Sequence, residues 1–373
     1  MFPHNWQSVR ELLTRMDFLL LFLALVLLVV GCLTIYSTGQ QAGGNFAGFW
    51  LRQLGWIGIG SAAFLLVAMF DYARLGRWSW LFYLIGLALL VLVLLVGPRI
   101  NSARSWIPLF GVTLQPAELA KPATLLFFAW LASRTRFRLT RVQYLLPLLV
   151  VLSVPMILVG MQPDWGTAIV FAFMIVPVIF VGGLPWKWIL AGLVLALSLA
   201  PVVYHSALTT KQKDRIMTFL RPSQDVTDAG WNAHQSLLAV GSGGLTGKGF
   251  MRGTQHVLGF LPRTVAPTDF VFSVIAEENG FLGSILVVAV FLGLVLRCLW
   301  IAGTAGDDFG AYLAVGVASL FFAHAYINIG MNIRAAPIIG IPLPLVSYGG
   351  SFVVGSLICL GLVQAVHIRR SPV

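Results

Sequence analysis

Roughly ten apolar runs of about 20 residues, spread between Asp17 and His367, constrain this chain most, because a helix of that length is what crosses a bilayer core. The expected fold is an all-α polytopic membrane protein with spans near 17–38, 51–70, 78–97, 116–134, 142–160, 166–183, 186–206, 270–299, 309–332 and 345–367. Composition agrees: 58% of residues are hydrophobic and 10% charged, against about 25% charged in a soluble domain, so a soluble fold is excluded. The first run continues without a small-residue exit and reads as a retained helix, not a cleaved signal. With no internal repeat and no linker, residues 1–373 read as a single transmembrane domain. Cys32, Cys298 and Cys359 fall inside spans without metal-like spacing and read as packing residues.

The net charge of +11 speaks first of topology. Arg10, Arg15, Arg74, Arg77, Arg134, Arg136, Arg138, Arg141, Arg369 and Arg370 fall on one side, which is expected to be cytoplasmic together with both termini. The opposite short loops are poor in bases, although Arg99, Arg104 and Arg334 occupy two of them. Nucleic acid is not the expected partner. Between the seventh and eighth spans lies a long loop, 207–268, expected on the extracytoplasmic side. It carries Lys211, Lys213, Arg215, Arg221, Lys248, Arg252 and Arg263 against the positive-inside trend. Either these charges are simply solvated or they meet an anionic ligand, and the latter is the expectation.

Charges within spans cost about 2.5–3.5 kcal/mol each on insertion scales, which makes them functional candidates. Glu118 and Lys121, three apart, share one helix face and suit an ion pair, as a structural staple or as part of a site. Glu277 and Glu278, adjacent and about 100° apart on a helix, are not expected to address one partner; at least one should face a cavity or the bundle interior. Residues 241–249, rich in glycine, fail the nucleotide P-loop pattern, since Ser242 and Gly249 stand at two of its fixed positions. They could still bring backbone N–H groups and Lys248 to a phosphate, but on spacing alone a tight turn is the better reading. Asp269, where the long loop meets the next helix, reads on its own as an N-cap.

Taken in order, these pieces resemble the SEDS family (shape, elongation, division and sporulation). The resemblance rests on Arg104-Ser-Trp106, Gln115-Pro116-Ala-Glu118-Leu-Ala-Lys121, Gln162-Pro163-Asp164-Trp-Gly166-Thr167, Arg215-Ile216, Gln235-Ser236 and the glycine-rich 241–249. It continues through Thr268-Asp269-Phe270, Ala276-Glu277-Glu278, Asn328-Ile-Gly-Met331 and Pro342-Leu-Pro-Leu-Val-Ser347-Tyr348-Gly349-Gly350-Ser351. Each motif is weak alone; the ordered set is specific and runs nearly end to end. Phe260-Leu-Pro262 and the short tails resemble the RodA branch more than FtsW. Arg263, two extra residues before Thr268, Arg334-Ala-Ala and Phe352 depart from the family pattern, leaving the loop's substrate contacts open.

The resemblance implies a peptidoglycan glycosyltransferase that polymerises lipid II by inverting β-1,4 transfer, with release of undecaprenyl diphosphate, for cell elongation and rod shape. It makes Asp269 the catalytic residue, overturning the cap reading, as general base on the incoming GlcNAc 4-hydroxyl. Arg215, Lys248 and Arg104 become candidates for the diphosphate, and Glu118, Lys121, Asp164 and Ser347 for substrate contact or support of the cavity. Diphosphate oxygens would suit a divalent cation, Mg or Mn, though no metal-ligand motif stands in the sequence. The implied partners are a class B penicillin-binding protein (a transpeptidase) and the elongation machinery, at the bacterial cytoplasmic membrane. The alternative is a lipid II flippase or transporter, for which repeat symmetry and midplane ions would be expected; a scaffold is a third reading.

Overall fold

A computed structural model describes residues 14–42, 46–99, 103–109, 112–135, 142–206, 208–221 and 229–370. Ten long helices form the bundle: α1 Phe18–Ala42, α2 Phe49–Met69, α3 Tyr72–Val96, α4 Pro116–Thr135, α5 Val142–Met161, α6 Trp165–Val181, α7 Trp186–Ser206, α11 Val271–Gly303, α12 Asp308–Asn332 and α13 Gly350–Ile368. Each matches one expected span to within six residues at either end. Eight are long and apolar enough to cross a membrane; the other two are α4, which carries Glu118, Lys121 and Arg134, and α6, with 17 residues. The chain is thus a multi-pass membrane protein.

α12 and α13 form the centre, 72% and 89% buried over their most apolar stretches, with α2, α4, α6 and α11 packed around them. Small residues let these backbones approach: a Cβ on Gly355 of α13 would lie 2.7 Å from the Glu118 carbonyl oxygen of α4. α7, which has no buried residue, stands at the periphery. α3 starts six residues earlier than expected because Asp71 caps it, accepting from the Ala73 N–H.

The long connection between α7 and α11 differs from the open loop expected. In its described part it folds into α8 Thr210–Leu220, α9 Ala229–Ser242 and α10 Thr254–Val257. α9 lies on the bundle through a small core of Ala239, Leu261, Ala266, Phe270 and Val274, and the Ser236 hydroxyl bonds the Ser273 hydroxyl (2.5 Å) and the Asn332 carbonyl (2.9 Å). Lys211 side-chain contacts and residues 222–228 lie outside the described residues. A short antiparallel hairpin, β1 Ile107–Leu109 and β2 Val112–Leu114, was not expected; it pairs Ile107 with Leu114 ahead of α4.

α11 is also not the continuous helix expected. Gly280 has φ 66° and ψ −163°, which breaks the helix. Such a break frees buried backbone groups that need other partners. The glycine-rich segment 241–249 fills it: Lys248 N–H donates to Glu277 O (3.0 Å), Gly249 N–H to Glu278 O (2.9 Å), and Phe281 and Leu282 N–H donate to Gly244 O and Leu245 O (2.8 and 3.1 Å). A Cβ on Gly243 or Gly247 would stand 2.0 or 2.1 Å from the Ala276 or Glu278 carbonyl oxygen, so these glycines serve the helix break. Gly280→Ala puts a side chain at positive φ within 2.3 Å of the Gly247 nitrogen. We expect it to destabilise the protein by about 1–3 kcal/mol or more, read as a lowered unfolding temperature in detergent.

Candidate active site

The site lies at the end of the bundle where α4 and α6 begin and α12 ends. Asp269 closes a turn in which the N–H groups of Thr268, Asp269 and Phe270 all point at the Val265 carbonyl. Two asparagines one helical turn apart on α12 hold its backbone: Asn328 Nδ2 and Asn332 Nδ2 each donate to the Asp269 carbonyl at 3.0 Å. Asn328 also donates to Ile341 O at 2.7 Å, tying in the 333–349 segment. The N-cap of α11 is Phe270 and has no side-chain cap bond, so the Asp269 carboxylate is not used as a cap. It stands beside Gly340, where a Cβ would come within 3.3 Å of its Oδ2, while the neighbouring Thr268 hydroxyl donates to the Val265 carbonyl (3.2 Å).

Burial raises the Asp269 carboxyl to about 6; Arg215 and the polar Thr268 side chain oppose that rise, and Asp164 adds to it. This places the group between an acid and a base near neutral pH, as a proton acceptor requires.

Arg215 and Asp164 are therefore brought to Asp269 as electrostatic neighbours. Asp164 caps α6, accepting from Thr167 N–H at 3.2 Å, and takes a bond from Gln115 Nε2 at 3.0 Å. The turn it belongs to anchors α8 through Gln212 Nε2 on the Pro163 carbonyl (2.9 Å), which keeps Arg215 over the site. Arg215 and Arg334 line one cleft with Phe219 and Ile338. Arg334, with φ 59°, is a cation that motif reading did not select. Arg104 donates its backbone N–H to Gln162 O and Nη1 to Leu94 O (3.3 and 3.2 Å), while its buried Nε has no hydrogen-bond partner.

Below these groups runs a buried relay. Glu118 and Lys121 pair at 2.8 Å with 4% and 2% of their side chains exposed. Lys121 Nζ lies 3.0 Å from His324 Nε2, and His324 Nδ1 lies 3.1 Å from the Pro342 carbonyl. A carbonyl only accepts, so Nδ1 carries the proton and Nε2 accepts from the ammonium. The relay ends in the segment that carries Ser347. That hydroxyl is fully buried, donating to the Thr268 carbonyl (2.5 Å) and accepting from Leu343 N–H (2.8 Å). Ser347 thus holds the peptide next to Asp269. Ser347→Ala should cost about 1 kcal/mol of stability and lower turnover with substrate affinity little changed, a split that steady-state kinetics reads.

Lys248 is committed elsewhere, to Glu277 Oε1 (2.5 Å) and Thr254 Oγ1 (2.7 Å). Glu277 and Glu278 correct the sequence expectation. Both carboxylates flank one imidazole, with His256 Nδ1 3.7 Å from Glu277 and Nε2 3.5 Å from Glu278. The ring reaches both because its two nitrogens point to opposite sides, so the splay of neighbouring helix positions becomes the means of clasping it. Ser37 of α1 donates to Glu278. Asn328, Asn332 and His324 were missed as site residues; their sequence signal is polar side chains at four-residue spacing along one otherwise apolar span.

A family model described as cell cycle protein, for FtsW, RodA and SpoVE, matches residues 13–371. The chain is 36% identical to the peptidoglycan glycosyltransferase MrdB of Escherichia coli strain K12, over 95% of this chain and 94% of that protein. It is 30% identical to the peptidoglycan glycosyltransferase RodA of Treponema pallidum, over 95% and 98%. Among solved structures it is similar to a chain of a peptidoglycan synthase complex that coordinates polymerization and crosslinking (TM-score 0.80, 30% identity, 95% and 98% covered). It is also similar to the rod shape determining protein RodA of Thermus thermophilus (TM-score 0.71, 30% identity, 96% and 98% covered). Matched in sequence and fold over nearly its whole length, the chain belongs to the FtsW, RodA and SpoVE family of cell cycle proteins.

Proposed function

We propose that this chain is a peptidoglycan glycosyltransferase that polymerises lipid II into glycan strands, with Asp269 as its general base. The observation that carries the reading is the state of Asp269: a carboxylate unused by its helix, clamped through its backbone, raised to about 6 and set beside Arg215. In the reaction, Asp269 takes the proton of the GlcNAc 4-hydroxyl as that oxygen bonds to C1 of the MurNAc at the reducing end of the growing strand. The C1–O bond to the α-linked diphosphate breaks from the opposite face, and a β-1,4 link results. Charge builds on the departing diphosphate, where Arg215 and Arg104 are the proposed donors. Lys248, bound to Glu277, supports the α11 break beneath the outer segment. Glu118, Lys121 and Ser347 position the peptides around Asp269, and Asp164 tunes its charge.

A divalent cation, if carried, comes on the diphosphate oxygens: among the described residues no three His, Cys, Asp or Glu gather to hold one. The steps above use none. The active site is assigned to the extracytoplasmic side and both termini to the cytoplasm, because Arg74, Arg77, Arg134, Arg369 and Arg370 stand at the other end of the bundle. A class B penicillin-binding protein and the elongation machinery are the proposed partners, supported by the synthase complex to which the chain is similar.

The test is synthesis from labelled lipid II in proteoliposomes holding the purified chain and a class B penicillin-binding protein. Glycan strands are the expected product. Lipid II crossing the bilayer without polymer would return the flippase reading.

A further inference from the structure

α3 begins at the end of the bundle opposite Asp269. Arg74, Arg77 and Trp80 follow at three-residue spacing, so they share one stripe about 9 Å long, with Trp78 beside it. The four side chains line one open hollow. All are exposed, Trp78 at 59% and Trp80 at 44%. Asp71 lies 3.5 Å from Arg74 Nε, while Arg77 has no carboxylate within salt-bridge distance among the described residues. On the neighbouring helix Arg134 sits 5.1 Å from the centre of the Trp130 ring. Trp130 packs against α3 where a Cβ on Gly76 would come within 2.7 Å. This corner of the bundle therefore gathers the guanidiniums of Arg74, Arg77, Arg134 and Arg369 with the carboxylates of Asp71 and Asp307, interleaved with indoles, and the cations are in excess.

Exposed tryptophans near a helix end are what any interfacial belt provides, and a belt is indifferent to headgroup charge. Two guanidiniums opening on the same hollow are not indifferent. Their planar forks match phosphate oxygens, and the indoles offer an apolar wall to glycerol and the first acyl carbons with a polar edge toward water. We propose that this hollow binds the phosphate headgroup of an anionic phospholipid, with Arg77 and Arg74 on the phosphate and Trp78 and Trp80 against the glycerol and upper chains. A soluble phosphate shares the oxygens but lacks the acyl contact, and the inference does not depend on the reaction assigned to Asp269.

The test uses the full chain in phosphatidylcholine nanodiscs doped with brominated phosphatidylglycerol or, in parallel, brominated phosphatidylcholine, reading indole quenching. The chain has 12 tryptophans, so the signal of the hollow is the difference between wild type and the Trp78→Phe, Trp80→Phe double variant. Stronger quenching by the phosphatidylglycerol, lost in that variant, is expected. Arg74→Gln and Arg77→Gln should each weaken it about fivefold at low salt, with the unfolding temperature in undoped discs unchanged because both side chains are at the surface. Equal quenching by the two lipids, or a preference that survives when Arg74→Gln and Arg77→Gln are combined, would overturn the proposal. So would displacement of the lipid by inorganic phosphate, which would mark a site for free anions.

Discussion

Replacing Asp269 with Ala should reduce glycan polymerisation by about 10²–10⁴-fold, the range expected for loss of a positioned general base. The backbone clamp by Asn328 and Asn332 acts on the Asp269 carbonyl, so the variant keeps its turn and should remain folded. The pH profile gives a second reading of the same residue. A base must be deprotonated, and the carboxyl titrates at about 6. The rate constant kcat/KM should rise as pH passes upward through about 6, and between pH 7 and 5 it should fall about tenfold. In the residual activity of Asp269→Ala that limb should be missing. A wild-type profile flat from pH 5 to 7, or full polymer from the variant, would remove Asp269 from proton transfer.

Truncating Glu118 alone should be the most damaging change to stability. Glu118→Leu leaves the Lys121 ammonium 2% exposed without its carboxylate, and breaking a buried pair in this way costs about 3–5 kcal/mol. His324 Nε2 still accepts from Lys121, but a neutral imidazole does not balance the charge. The Glu118→Leu, Lys121→Met double variant should recover part of the loss, because no unpaired charge remains; what it does not recover includes the orphaned His324 nitrogen. Thermal unfolding in detergent of the two variants makes the comparison. If the single variant is as stable as wild type, the pair is not the staple of α4, and a role confined to substrate becomes the better account.

Hydrophobic length placed eight of the long helices outright, because a bilayer filters each segment by the same criterion, while charged α4 and short α6 fall below it and were found as weaker runs between them. Ordered motifs singled out Asp269 as a candidate, and the fold sets it near Arg215 and Asp164. What the sequence did not disclose lies where that criterion does not reach. The segment 207–268 looked like a loop because α8 is too polar and α9, at 14 residues, too short to register as spans; α8 owes its start to the Thr209–Gln212 capping box and α9 packs on the bundle. The break at Gly280 was hidden because a single glycine inside an apolar run is compatible with an unbroken helix; its partner lies some thirty residues earlier. Lys248 looked like a free cation because Glu277 is distant in sequence. The role of Ser347 was hidden for the same reason, since its acceptor is the carbonyl of Thr268, on another segment.

The filled break in α11 also bears on how the protein is made. The donors and acceptors that complete Gly280 belong to residues 241–249, which leave the ribosome before the break they serve. A reversed order would strand bare peptide groups until a partner arrived; in this order the plug is available when the socket forms. Variants in the glycine-rich segment should therefore impair assembly at synthesis, lowering the amount of inserted protein more than the activity of each molecule that succeeds.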